Sequence, residues 1–138
     1  MISRLFLVGC LLLACLGVAA CDGFSQLPPA DSKAELARDN YLANPTRNAY
    51  VAFLRANGQA ASNHNEPHDG VGIRYQVRAL EIEAAEAEAT NDARLAKEVV
   101  DRVDVMDEDD YLSLYDETVP GSRERLEAAR VRAQAVMQ

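Results

Sequence analysis

Tryptophan is absent from the 138 residues, aromatic side chains make up only 6% of them, and histidine occurs twice. Cysteine stops early: Cys10, Cys15 and Cys21 are the three thiols, and nothing after residue 21 carries one. That rules out an internal disulfide, a thiol nucleophile and a cysteine-built zinc site in the rest of the chain. Basic residues are also scarce, 14 against 22 acidic ones, for a net charge of −8. Neutralising phosphates takes clustered Lys and Arg, so no nucleic-acid partner is expected. There is no glycine-rich phosphate loop and no G-x-S-x-G elbow, and both histidines fall in one short stretch. The chain is therefore expected not to be an enzyme, and no cofactor is implied.

What is present begins at the N-terminus. MISR precedes LFLVGCLLLACLGVAA, so one positive charge at Arg4 is followed by sixteen apolar or small residues without a charge. A spanning helix needs about 20 apolar residues and the apolar part of an export signal is shorter, so the run reads as an export signal. It closes on Val18, Ala19, Ala20 and Cys21. This order of charge, apolar run, small residues and cysteine resembles the lipobox of bacterial lipoproteins. The resemblance covers residues 1–22 and implies cleavage just before Cys21, whose thiol carries a diacylglyceryl group. Asp22, which follows the lipidated cysteine, resembles the inner-membrane retention signal of enteric bacteria. The implied address is the periplasmic face of the inner membrane, with the outer membrane as the alternative.

Cysteine usage agrees with lipidation. Cys10 and Cys15 leave with the leader, and Cys21 remains without a disulfide partner. Each buried CH₂ contributes about 0.8 kcal/mol, so several acyl chains on one residue hold the protein at a membrane permanently. Removing residues 1–20 takes away Arg4 and no acidic residue, which moves the net charge from −8 to −9. An anionic membrane surface repels such a domain, so the lipid does the anchoring.

The chain divides into a signal peptide (1–20), a lipidated cysteine with an extended tether (21–30) and an acidic helical domain (31–138). Gly23, Pro28 and Pro29 keep the tether out of a helix. About 110 residues support one core. The expected fold is all-α, a single irregular bundle of helical hairpins with about five or six helices. A tetratricopeptide-like repeat is a minority alternative, because no residue pattern recurs at fixed spacing.

Asp31 is expected to cap a first helix carrying Leu36, Tyr41 and Leu42, and Pro45 to start a second with Ala49, Tyr50, Phe53 and Leu54, ended by Gly58. From Val71 to about Ala89, Ile73, Val77, Leu80 and Ala84 form one stripe, with Tyr75, Ala79 and Ile82 beside it, which predicts a central helix. Thr90, Asn91 and Asp92 supply turn and cap chemistry before a helix with Leu95, Val99, Val103 and Met106. Pairs four apart, Arg94 with Glu98, Lys97 with Asp101 and Glu98 with Arg102, support its outer face. A short helix over 110–117 and a last one after Pro120 and Gly121, carrying Leu126, Ala129, Ala133 and Val136, complete the set.

Three segments invite chemistry. HNEPHDG holds His64 and His68 with Glu66 and Asp69. Pro67 and the position of Glu66 break the zinc-protease pattern, so the stretch reads as a polar linker, and weak Zn or Ni binding by His64 and His68 is the alternative. DEDD, formed by Asp107, Glu108, Asp109 and Asp110, lacks the ligand spacing and glycine of a calcium loop. It reads either as carboxylates at a helix start, favoured by the macrodipole, or as an acidic patch, with Asp101, Asp104, Asp116 and Glu117, for a basic protein partner. Glu81, Glu83, Glu86 and Glu88 are expected on the solvated side of the central helix.

Together these features predict a membrane-anchored, non-enzymatic lipoprotein that binds another protein at the cell envelope. An immunity or exclusion factor against a toxin, phage or plasmid component is its concrete form. The alternatives are an accessory subunit of an envelope assembly and a periplasmic metal-binding protein.

Overall fold

The computed structural model describes residues 27–62, 64 and 69–138. The leader, Cys21, Asp22, His68 and the tether up to residue 26 lie outside the described residues. Six helices follow one another: α1 (Pro29–Ala43), α2 (Arg47–Ala61), α3 (Gly70–Thr90), α4 (Ala93–Glu108), α5 (Tyr111–Thr118) and α6 (Ser122–Val136). No strand occurs among the described residues. The all-α expectation holds, and so does the central place of the third helix, which packs against α1, α2, α4 and α6. No described helix is long and apolar enough to cross a membrane.

The helix ends follow local chemistry. Pro29 occupies the first turn of α1, where a missing N–H costs nothing, so the helix starts inside the segment expected to be tether. α2 starts at Arg47 rather than at Pro45, and Thr46 caps it, its Oγ1 accepting the Ala49 N–H at 3.2 Å. Gly58 does not end α2; it lies in the helix on an exposed face with nothing within 4 Å of a Cβ position. Asn91 takes the left-handed conformation (φ 53°) that closes α3, and Asp92 Oδ1 accepts the N–H groups of Arg94 and Leu95 at 3.0 Å to open α4. Asp116, expected in the acidic patch, instead serves α6: its Oδ1 accepts the Gly121 N–H at 2.9 Å and the Arg123 N–H at 3.3 Å.

The main core joins Ile73, Val77, Leu80, Ala84 and Ala87 of α3 to Ala96, Val99, Val100 and Val103 of α4. Leu112 and Tyr115 of α5 and Leu126, Ala129 and Ala133 of α6 complete it. Many of these contacts are alanines, which let the helix axes approach closely. A second cluster, Tyr41, Phe53, Ile82 and Ala85, ties α1 and α2 to the opposite side of α3. The two stripes of α3 thus serve two different sets of neighbours.

Leu36, Leu42 and Leu54 are not in the core; they are 62%, 37% and 49% exposed. The inward stripe of α1 is instead Asp31, Ala34, Arg38 and Tyr41, three and four apart, and that of α2 includes Phe53, Asn57 and Ala60. Charged groups hold positions that an apolar pattern assigns elsewhere.

Candidate functional site

Asp31 does not cap α1. It is fully buried, with Oδ2 accepting from Arg74 Nε at 2.8 Å and Oδ1 lying 2.6 Å from Arg78 Nη2. That second contact lacks hydrogen-bond alignment and is ionic. Arg78, also fully buried, donates from Nη1 to Glu35 at 3.0 Å and from Nε to Asn57 Oδ1 at 3.0 Å, and Asn57 Nδ2 donates to the Tyr75 carbonyl at 3.3 Å. Glu81 then accepts two bonds from Arg38 (2.6 and 2.9 Å) and two from Arg125 (2.8 and 2.6 Å). The result is a seam of alternating charges from α1 across α3 to α6.

Partners in this seam keep a fixed offset. Asp31 and Arg74, Glu35 and Arg78, and Arg38 and Glu81 are each 43 residues apart, so α1 runs parallel to α3. Glu81 with Arg125 and Glu88 with Arg132 are 44 apart, so α6 runs parallel to α3 as well.

Glu81, Glu83 and Glu86 are therefore not on a solvated face, whereas Glu88, paired with Arg132, is exposed as expected. Burial alone would raise the Glu81 pKa, but the bonds from Arg125 and Arg38 outweigh it and hold the carboxyl below its ordinary value. Such a group stays ionised and is a poor proton donor. Glu83 bonds Arg102 at 2.5 Å, yet burial dominates and its pKa is raised. Glu86 accepts from the Tyr41 hydroxyl at 2.5 Å, and burial followed by that bond pushes the phenol pKa up. Arg102 thus serves Glu83 rather than Glu98, whereas the pairs of Arg94 with Glu98 and Lys97 with Asp101 form as expected.

His64 Nδ1 lies 2.5 Å from Asp69 Oδ2, while Asp69 Oδ1 accepts the Val71 N–H at 2.8 Å and opens α3. The His64 bond, then the backbone bond, lowers the Asp69 pKa. His68, the other half of the metal expectation, lies outside the described residues. Among the described residues no group of three or more candidate ligands gathers.

The acidic run joins the end of α4 to the start of α5. Asp107 and Glu108 are the last residues of α4, Asp109 is its C-cap, and Asp110 has φ 59° and makes no side-chain capping bond to α5. All four are exposed. Asp107, Glu108 and Asp109 sit at the negative end of the α4 dipole, which disfavours carboxylates, while Asp110 is the N-cap residue of α5, where the dipole favours one. Asp107 reaches Arg123 only at 3.9 Å, and the other three make no ion pair among the described residues. Two more residues of the expected acidic patch are engaged: Asp101 pairs with Lys97 at 2.5 Å and Asp104 with Arg130 at 3.1 Å, while Glu117 is exposed without an ion pair among the described residues.

Beside this run lies an open groove of about 420 Å³ between α4 and α5, lined by Asp101, Arg102, Val105, Met106, Tyr111 and Tyr115. Val105 is 55% and Tyr111 41% exposed. The two tyrosine rings lie 6.2 Å apart, tilted by 57°, and the Tyr115 hydroxyl donates to Gln76 Oε1 at 2.6 Å, which fixes its ring as a wall. Along α4, Glu108 and Asp109 continue the rows that begin at Asp101 and Arg102. Sequence reasoning placed Met106 on the core stripe, and it does pack, partly buried, against the core; Val105 and the Tyr111/Tyr115 pair were passed over. The signal was an apolar residue off the core stripe next to two tyrosines four apart.

Comparison with protein-family models, with curated proteins and with solved structures finds no match for this chain.

Proposed function

We propose that this chain is a lipid-anchored, non-enzymatic protein-binding module of the bacterial cell envelope, and that the corner between α4 and α5 is its binding face. In this reading Cys21 carries the lipid and Asp22 retains the protein at the inner membrane, so the domain works from the periplasmic face. One observation carries the choice of face. Carboxylates elsewhere on α3 and α4 are engaged by arginines, lysine or tyrosine, whereas Glu108, Asp109 and Asp110 make no ion pair among the described residues and lie next to an open apolar groove. Exposed charges that the fold leaves unpaired are available to a partner. Inhibition of a basic effector, as by an immunity or exclusion factor, is the concrete form proposed.

Site-specific photocrosslinking in intact cells tests this. A crosslinking side chain at position 111 is expected to capture one protein from the envelope, and the same group at position 36, exposed on α1, is expected not to. Equal capture at both positions, or none at 111, removes the binding face.

A further inference from the structure

The groove between α4 and α5 also says what kind of segment it takes. Resting on the reading above, we infer that it binds a short peptide segment of the partner with one or two large apolar side chains flanked by Lys or Arg. Its volume of about 420 Å³ is at the small end of ligand sites, which run from about 300 to 1,000 Å³. It suits one or two side chains rather than a whole helix.

The lining sets the chemistry of the centre. Val105, Met106, Tyr111 and Tyr115 present apolar surface, and the Tyr115 hydroxyl is already engaged by Gln76. Methionine adapts to different apolar shapes, and the tilted tyrosine pair offers ring faces to an aromatic or branched aliphatic anchor. The flanks are set by charge. Asp107, Glu108, Asp109 and Asp110 stand exposed between the end of α4 and the start of α5 and make the rim negative. The half-exposed Tyr111 ring provides a face for a guanidinium or ammonium group. Arg102, the one cation in the wall, is held by Glu83 and does not neutralise the rim.

The same charges argue against other occupants. A second copy of this chain brings a net charge of −8 or −9. An anionic lipid surface is repelled by the same rim.

The test uses the full chain in detergent micelles and three fluorescein-labelled nonapeptides. The first has Leu-Trp-Leu flanked on each side by Gly and two Lys, the second replaces Leu-Trp-Leu with three Ser, and the third replaces the four Lys with Glu. The first peptide is expected to bind at least tenfold more tightly than either control. Tyr111→Ala should reduce its affinity at least tenfold, while Leu36→Ala, on exposed α1, leaves it unchanged. Equal binding of all three peptides, or no effect of Tyr111→Ala once circular dichroism shows the helices intact, overturns the inference. So does Tyr111-dependent binding of phosphatidylglycerol vesicles in place of the peptide. The two proposals fail separately. A protein captured at position 111 through an acidic or uncharged segment leaves the protein-binding reading standing and removes this one. Tight binding of the first peptide with no envelope protein captured at 111 does the reverse.

Discussion

Asp31 and Arg78 meet at 2.6 Å with both side chains fully withdrawn from solvent. Few contacts in so small a domain have as much leverage. A charge taken out of water is tolerated only if its partner and hydrogen bonds remain, and here the partners come from three helices. Arg74 of α3 holds the second oxygen of Asp31, while Glu35 of α1 and Asn57 of α2 satisfy the rest of Arg78. The polar seam thereby fixes the register of α1 against α3, a role that apolar packing between alanines fills poorly.

Arg78→Met is therefore expected to destabilise the domain by about 3–5 kcal/mol, because the buried Asp31 loses the cation beside its Oδ1 and Glu35 loses a donor. For a domain of this size that lowers the midpoint of thermal unfolding by roughly 4 °C for each kcal/mol. Arg78→Met combined with Asp31→Leu and Glu35→Gln should recover part of the loss. A fall of less than about 1 kcal/mol in the single variant, followed by circular dichroism, means that the seam is wetter and more yielding than its geometry.

Two glutamates on one helix are expected to respond to pH with opposite sign. The pKa of Glu81 is lowered in the folded state, because the arginine bonds outweigh burial. Its contribution is thus present above the unfolded-state value near 4.3 and is lost as pH falls through the lower folded value. Glu83, raised by burial, contributes most below that unfolded value and loses its contribution as pH rises through the higher folded one. Glu81→Gln should therefore cost stability at pH 7 and flatten the acid limb of the unfolding profile. Glu83→Gln should cost little at pH 7 despite the lost bond to Arg102. Parallel acid limbs in the two variants count against this assignment.

What the sequence revealed depended on whether a residue's role was periodic. Ile73, Val77, Leu80 and Ala84 repeat at helix spacing, and with Ile82 beside them they located the central helix. Asn91 and Asp92 act within one turn of themselves and were equally plain. The seam escaped because Asp31, Glu35 and Arg38 have the spacing of a buried face but the wrong polarity for one. Their complements, Arg74, Arg78 and Glu81, lie 43 residues away, and only the fold joins them. Leu36 and Leu54 misled for the same reason: an apolar residue facing water is normal, and hydrophobicity alone does not say which face turns inward. At the acidic run, the sequence marked the charge and the short helix that starts beside Asp110, but not that α4 extends into the run or that a groove lies beside it.

Asp110 offers a local test of that position. A β-carbon in the left-handed region costs about 1–2 kcal/mol, less for Asp than for most residues, and no capping bond from this side chain offsets it. Asp110→Gly is expected to raise the stability of the domain by roughly 0.5–1 kcal/mol. Denaturant unfolding measures it, and a loss of stability would show that the carboxylate makes a compensating contact.

The address is tested apart from the domain. Cys21→Ser should abolish palmitate labelling and leave the leader uncut by the lipoprotein peptidase. Processing of this variant, with retention on membranes after a carbonate wash, contradicts the lipid anchor. Asp22→Ser should move the protein to the outer membrane in an enteric host, and unchanged fractionation contradicts retention by Asp22.

The acidic corner should show itself most clearly in rates. Charges at a rim steer a partner during its approach, and salt screens them over about 8–10 Å at physiological ionic strength. Replacing Asp107, Glu108, Asp109 and Asp110 with Asn or Gln removes four charges while keeping similar shapes. The run lies between the end of α4, which disfavours carboxylates, and the start of α5, which favours them, so the two effects offset and the quadruple variant should be about as stable as the parent. Its association with the captured partner, followed by surface plasmon resonance, should nevertheless be slower and less sensitive to salt. Dissociation should change little, because the apolar anchor in the groove is untouched. Unchanged stability together with slower association is the pattern that separates a binding rim from a structural cap. A variant that loses stability and associates at the parent's rate returns the four carboxylates to a role in the fold alone.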